Sequence, residues 1–348
     1  MTVQLWKTEM KTQIITAALK HIQHDITPSN TPPTWTIRGP YGIFNPMPET
    51  EAYVREIVEK RLGKNAVSIR RFSTGLSHFV FDVLTDDDST CVIRLARPDR
   101  RKEFERGLFW HGKIELTGVR LPKILEFGEI NGRYFAVYER LKGDDLENVY
   151  SSLSSQEKRN IAEKVAEVQQ RVSSLDRGLF AKIYSWEEVL QGVVARSERE
   201  MLSHKLCNLK YVDLVRAQLE RYGGYIETLS PTAFLYDLSV RNVIIDDGKM
   251  IGVIDVDDVW FGDPLLAIGR GKTILLAMQQ DTEFIDYWCD YLALTTLEMK
   301  VVDLYALLYC LRFMGTIGTR LNGNPSIQTN PDNARLFENI AENILAAS

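Results

Sequence analysis

The chain is 348 residues long, 45% hydrophobic and 26% charged, with a formal net charge of −5. That length buries one large core or two modest ones, and the composition is that of an ordinary soluble globular protein. The negative charge argues against nucleic acid or an anionic membrane as the main partner and leaves room for a cationic ligand. Residues 1–48 begin with Ile14, Ile15, Ala18, Leu19 and Ile22 at helical spacing. They continue through Pro28, Pro32, Pro33, Pro40, Pro46 and Pro48, a run that is neither helix nor central strand and reads as a linker or extended strap. A helix is expected over 49–62, stopped by Gly63.

From Val67 the pattern becomes β. Strands are expected over 67–72, 79–84 and 90–95, separated by Thr74-Gly75-Leu76-Ser77 and by Asp86-Asp87-Asp88-Ser89. A charged helix over 100–116 follows, then strands over 124–129 and 134–140 joined at Asn131-Gly132. This is a small antiparallel sheet with one helix, ending at a short hinge near 139–143. Beyond Gly143 helical periodicity dominates, over 155–175, 186–203, 210–228, 264–279, 283–293, 296–315 and 331–346, interrupted by one β passage over 233–258. The fold class is α+β, and the expected domains are an N-terminal extension over 1–48, a small lobe over 49–140 and a helical lobe over 141–348.

Cys91, Cys207, Cys289 and Cys310 share no metal-ligand spacing and read as buried free thiols of a reducing compartment. The five histidines form no zinc motif. No charged-then-apolar leader opens the chain, and the apolar run over 301–315 is broken by Asp303 and Arg312, so a cytoplasmic location is expected.

The chemistry gathers in the β passage. Asp246-Asp247-Gly248 turns two apolar strands, 243–245 and 250–254. Asn242 precedes the first strand and Asp255 ends the second, so both stand at the open end of the hairpin with Asp237 on the loop beside them. One amide oxygen flanked by carboxylates suits Mg²⁺, and a further carboxylate can orient or deprotonate an attacking hydroxyl. Asp257 and Asp258 read as helix caps or a solvated rim.

These residues resemble the aminoglycoside phosphotransferase family and its choline kinase-like relatives, with spacings similar to those of hygromycin phosphotransferases. The family pattern His-Gly-Asp-Leu-x-x-x-x-Asn, then Ile-Asp, then Gly-Asp, stands here as Leu235-Tyr236-Asp237-Leu238, Asn242, Ile254-Asp255 and Gly262-Asp263-Pro264. Leu235 replaces the usual His and Tyr236 the usual Gly. The resemblance implies a bilobal protein-kinase-like fold. It assigns Asp237 as catalytic base or hydroxyl-orienting residue, Asn242 and Asp255 as Mg²⁺ ligands, and Asp263 as a structural residue. It also makes Ser73, Gly75 and Ser77 the phosphate-approaching loop, Arg94 the phosphate anchor with Glu105 (then Glu103) as its partner, and Glu139 to Leu141 the hinge that meets the base of ATP or GTP. It covers roughly 50–320.

Three functional readings follow. One is a kinase of a polar, cationic, aminoglycoside-like alcohol. Another is a kinase of an endogenous metabolite such as choline, an amino alcohol or a sugar amine. The third is a degenerate fold that only binds a nucleotide or a partner. For a cationic acceptor the candidate contacts are Asp257, Asp258, Asp281, Glu283, Asp286 and Asp290, which equally suit a solvated helix face. Trp260 and Trp288 stack on a sugar ring or pack in the core. The sequence leaves the oligomeric state open.

Overall fold

Strands that bury alternate side chains build the first part of the fold. In the computed structural model, which describes residues 49–72, 78–177, 185–318 and 330–347, the side chains of Phe79, Phe81, Val83 and Thr85 are buried and those between them only partly so. The expected helix and strap over 1–48, and Ser73, Gly75 and Ser77, lie outside the described residues.

The described residues divide into two compact units, 49–116 with 120–141, and 117–119 with 142–318 and 330–347. In the first unit, α1 (Glu49–Ile57) runs into a π-type turn over Val58–Leu62. Gly63 ends it at φ 65°, donating its N–H to Val58 O, the left-handed cap for which glycine is suited. Next come β1 (Ala66–Arg71), β2 (Phe79–Thr85), β3 (Thr90–Leu95), α2 (Arg101–Leu116), β4 (Ile124–Ile130) and β5 (Arg133–Glu139). The strands form one antiparallel sheet ordered β1-β2-β3-β5-β4. One apolar cluster joins Val54 and Ile57 of α1, and Val58 of the π-type turn, to Phe81, Ile93 and Val137. A second joins Phe104 and Leu108 of α2 to Ala96 and Ala136.

The second unit is helical apart from one two-stranded and one three-stranded antiparallel sheet. Its elements are β6 (Asp144–Asp145), α3 (Leu146–Val149), α4 (Ser155–Val172), α5 (Trp186–His204), α6 (Lys210–Arg221), α7 (Gly223–Thr228), β7 (Thr232–Leu235), β8 (Val243–Asp246), β9 (Lys249–Val253), β10 (Val259–Gly262), α8 (Leu265–Ala277), α9 (Glu283–Tyr291), α10 (Thr296–Thr316) and α11 (Ala334–Ala347). Capping boxes start α4, α5 and α10 at Ser154, Ser185 and Thr295. The helix expected over 210–228 is two, broken at Tyr222 where the glycine pair 223–224 follows. Trp288 is buried, as are Cys91, Cys289 and Cys310, and burial pushes the Cys91 thiol up to about 11. The four cysteines are free thiols. Among the described residues no helix is long and apolar enough to cross a membrane.

Candidate functional site

In the second unit the strand order places the polar hairpin. β7 pairs with β10, Val259 opposite Leu235, and Tyr236 N donates to Asp258 O at 3.0 Å, so the chain leaving β7 enters a loop anchored at its first residue. The Leu235 backbone is gripped from both sides by a buried amide on α4: Leu235 N donates to Gln169 Oε1, and Gln169 Nε2 donates to Leu235 O, each at 2.9 Å. Two such bonds contribute about 1 kcal/mol each. Leu235 stands where the resemblance places a loop-scaffolding His, and Gln169 fixes the same backbone from a different element. The grip at Gln169 went unread because its partner lies 66 positions away in sequence.

The loop is closed by Ser239 N to Asp237 O at 3.0 Å and Asn242 N to Ser239 O at 2.9 Å. Its far side is tied to α3 by Glu147 N donating to Val240 O at 2.8 Å and by the Arg241–Glu147 ion pair at 2.8 Å. Asn242 Nδ2 donates to Asp237 O at 2.7 Å, which commits the amide nitrogen to the loop and leaves Oδ1 as the atom able to face a cation. Ile254 N donates to Asn242 O at 2.9 Å, bringing the residue before Asp255 against Asn242. Asp255 follows with φ 54°, a left-handed turn that ends the strand run and sets its exposed carboxylate at the hairpin mouth. Asp237, Asn242 and Asp255 are thus neighbours at one open end, as the hairpin register implies. An amide oxygen and carboxylates are the oxygen donors that a hard cation such as Mg²⁺ prefers, so the residues fit that ion.

The Asp237 carboxylate is engaged by a residue that the sequence reading did not single out. Arg270, in the middle of α8, donates from Nη1 to Asp237 Oδ1. Its guanidinium lies 5.4 Å from the centre of the Tyr236 ring and 5.9 Å from that of Tyr309. Burial opposes the charge, yet the Asp237 carboxylate and the two tyrosines hold the guanidinium above its ordinary range. An arginine between two glycines in the apolar helix Leu265–Ala277 was the available signal, since a buried charge requires a partner. Tyr236 also stacks on Trp260, ring centres 3.9 Å apart and 15° from parallel, and Trp260 meets the Phe234 ring edge-on.

Asp263 is almost fully buried (1% exposed) and caps α8, accepting from Leu265 N at 3.0 Å. Its other oxygen accepts from Tyr305 at 2.9 Å and Tyr225 at 3.1 Å, while Trp186 Nε1 donates to Tyr305 Oη at 2.8 Å. Burial pushes the Asp263 carboxyl up.

The first unit carries the other expected residues. Arg94 lies on the face of β3 opposite Ile93 and Leu95, 5.9 Å from the centre of the Phe104 ring. Glu105, its expected partner, accepts from Arg101 Nε at 3.0 Å. His78 is buried with its ring edge-on to Phe104. Burial, and then Arg94, Arg100 and Arg97, hold its imidazole far below the ordinary range, which marks a cationic neighbourhood just after residues 73–77. The Glu139 carboxylate accepts from Arg120 at 2.8 and 3.1 Å and the Glu139 backbone N–H donates to Lys123 O, while Leu141 O accepts from Arg140 at 2.8 Å.

Residues 68–301 match the model of the phosphotransferase enzyme family. The chain belongs to that family. Solved structures with the same architecture confirm the phosphotransferase fold. One is an apo thermostable mutant of aminoglycoside phosphotransferase APH(4)-Ia (TM-score 0.62, 16% identity, covering 84% of this chain and 98% of that one). Another is the GDP complex of wild-type aminoglycoside 2'-phosphotransferase-IIIa (0.65, 16%, 84% and 98%). A third is the streptomycin–ATP–APH(2")-IIa ternary complex (0.58, 16%, 85% and 96%). No curated protein matches the sequence of this phosphotransferase.

Proposed function

We propose that this phosphotransferase is a magnesium-dependent small-molecule kinase that moves the γ-phosphoryl group of ATP or GTP to an alcohol. The observation that carries the reading is the tie between Asn242 Nδ2 and the Asp237 backbone carbonyl, because one short bond holds the amide whose oxygen would meet a cation against the residue whose carboxylate would meet the acceptor. Asn242 and Asp255 would hold the ion, which would neutralise charge on the phosphates. Asp237 accepts the hydroxyl hydrogen bond and aligns the oxygen for attack. A bond forms between that oxygen and the γ-phosphorus, the bond to the β–γ bridging oxygen breaks, the nucleoside diphosphate leaves, and the hydroxyl proton passes to Asp237 or water. Arg94 serves the phosphates, in the cationic neighbourhood that depresses His78. The base is met by backbone groups of the hinge from Glu139 to Leu141.

Of the two kinase readings, the metabolite one is favoured. Asp281 and Glu283, expected contacts for ammonium groups, are already occupied: Lys158 Nζ lies 2.7 Å from Asp281 and 3.3 Å from Glu283, and Ser155 also donates to Glu283. A buried guanidinium beside Asp237 further disfavours a polycation. The acceptor is an alcohol of low positive charge, such as an amino alcohol or sugar amine. Incubating the protein with Mg-ATP or Mg-GTP and either choline, ethanolamine, glucosamine, hygromycin B or streptomycin, with ³¹P NMR detection of a new phosphate ester, tests this. Ester on a singly charged alcohol and none on the antibiotics is the expected result. Preferential modification of the antibiotics would restore the aminoglycoside reading.

A further inference from the structure

A carboxylate that must present one oxygen to a hydroxyl loses alignment if it turns freely about its last bond. Asp237 is prevented from doing so by contacts that fall, among the described residues, on a single oxygen: Arg270 Nη1 and Ser239 Oγ (3.2 Å) both donate to Oδ1. The guanidinium is itself oriented. Its side chain is 11% exposed, and the rings of Tyr236 and Tyr309 lie close enough to attract the planar cation. Stability alone is a weak explanation, because a buried ion pair is commonly replaceable by apolar residues at no cost.

We propose that Arg270 is a positioning residue for Asp237: oriented by Tyr236 and Tyr309, it occupies Oδ1 and leaves Oδ2 to meet the acceptor hydroxyl. The inference rests on the kinase reading given above. It joins the two departures from the family pattern into one arrangement. At Leu235 the loop backbone is held by Gln169, and at Tyr236 a bulky ring stands where the pattern has glycine and supplies a face for the arginine. Alignment is also what a loose phosphoryl-transfer transition state requires, since it demands little covalent help from the protein.

The test compares Arg270→Met and Arg270→Lys with the unaltered full chain. Mg-ATP and Mg-GTP binding is measured first, then slow phosphoryl transfer to water, with the melting temperature recorded for each variant. Arg270→Met is expected to lower kcat by about ten- to a hundredfold, the scale of a small misalignment, while the nucleotide KM changes by less than about twofold. Arg270→Lys, which retains a cation able to donate to Oδ1, is expected to recover most of that loss. Should Arg270→Met not fold, Arg270→Gln takes its place in the comparison. An unchanged kcat in the charge-removing variant overturns the proposal. So does an equal loss in Arg270→Lys that tracks the melting temperature, which would make the role one of packing. A wild-type protein that neither binds nor hydrolyses a magnesium nucleotide overturns the kinase reading itself, an outcome recognised before any variant is compared.

Discussion

Asp237→Asn is expected to lower phosphoryl transfer by about 10²–10⁴-fold, the usual span for a positioned acid–base group. The substitution keeps the shape of the side chain and an oxygen for Arg270 and Ser239, so the loop geometry survives while the charge facing the hydroxyl is lost. Asn242 is bonded to the backbone carbonyl of Asp237 and not to its carboxylate, which is why nucleotide affinity is expected to change little. Steady-state rates with saturating nucleotide, set beside a binding titration, separate the two effects. Near-wild-type turnover in this variant would remove Asp237 from the reaction.

The largest expected loss of stability is at Gly269, one residue before Arg270. A Cβ there would stand 2.6 Å from the Tyr305 Cβ, 2.7 Å from Ala306 N and 2.8 Å from Val302 O, all on α10. All three neighbours are backbone atoms or attached directly to the backbone, so neither helix can yield without moving as a body. Gly269→Val is expected to destabilise the protein by about 3 kcal/mol or more, at the upper end of overpacking effects. Urea unfolding monitored by tryptophan fluorescence measures it, and a midpoint within error of wild type would mean that α8 and α10 are not so closely packed. The same close approach brings Tyr305 within reach of Asp263 and Tyr309 beside Arg270, so the glycine supports both the structural carboxylate and the arginine.

What was legible in the sequence follows from how local each signal is. The strands of the first unit were read to within a residue or two because each is half-buried and bounded by turn residues, as Asp86–Ser89 and Asn131-Gly132 show. The hairpin mouth was legible for the same reason, since the register of β8 on β9 fixes where Asn242 and Asp255 stand. The pairing of β7 with β10 was not, because no local pattern records that Val259 lies opposite Leu235. Gln169 and Arg270 hold the loop that carries Asp237 across 66 and 33 positions of sequence. The first resembled any polar residue on an amphipathic helix. The second was visible as a charge in an apolar helix, but its partner was not. Glu105 meets Arg101 one turn earlier on the same helix, a pair at i, i+4 that helical geometry offers.

The central claim is that Asn242 and Asp255 are the residues through which the second unit takes up the metal of a magnesium nucleotide. Thermal unfolding of wild type and Asp255→Ala, with ATP or GTP and with or without Mg²⁺, tests it most directly, because a ligand selective for the native state raises the melting temperature by mass action. The expected result is a magnesium-dependent rise with at least one nucleotide that is largely lost in Asp255→Ala. A rise unaffected by the substitution would contradict the metal assignment, and no rise with either nucleotide in folded protein would contradict the kinase reading.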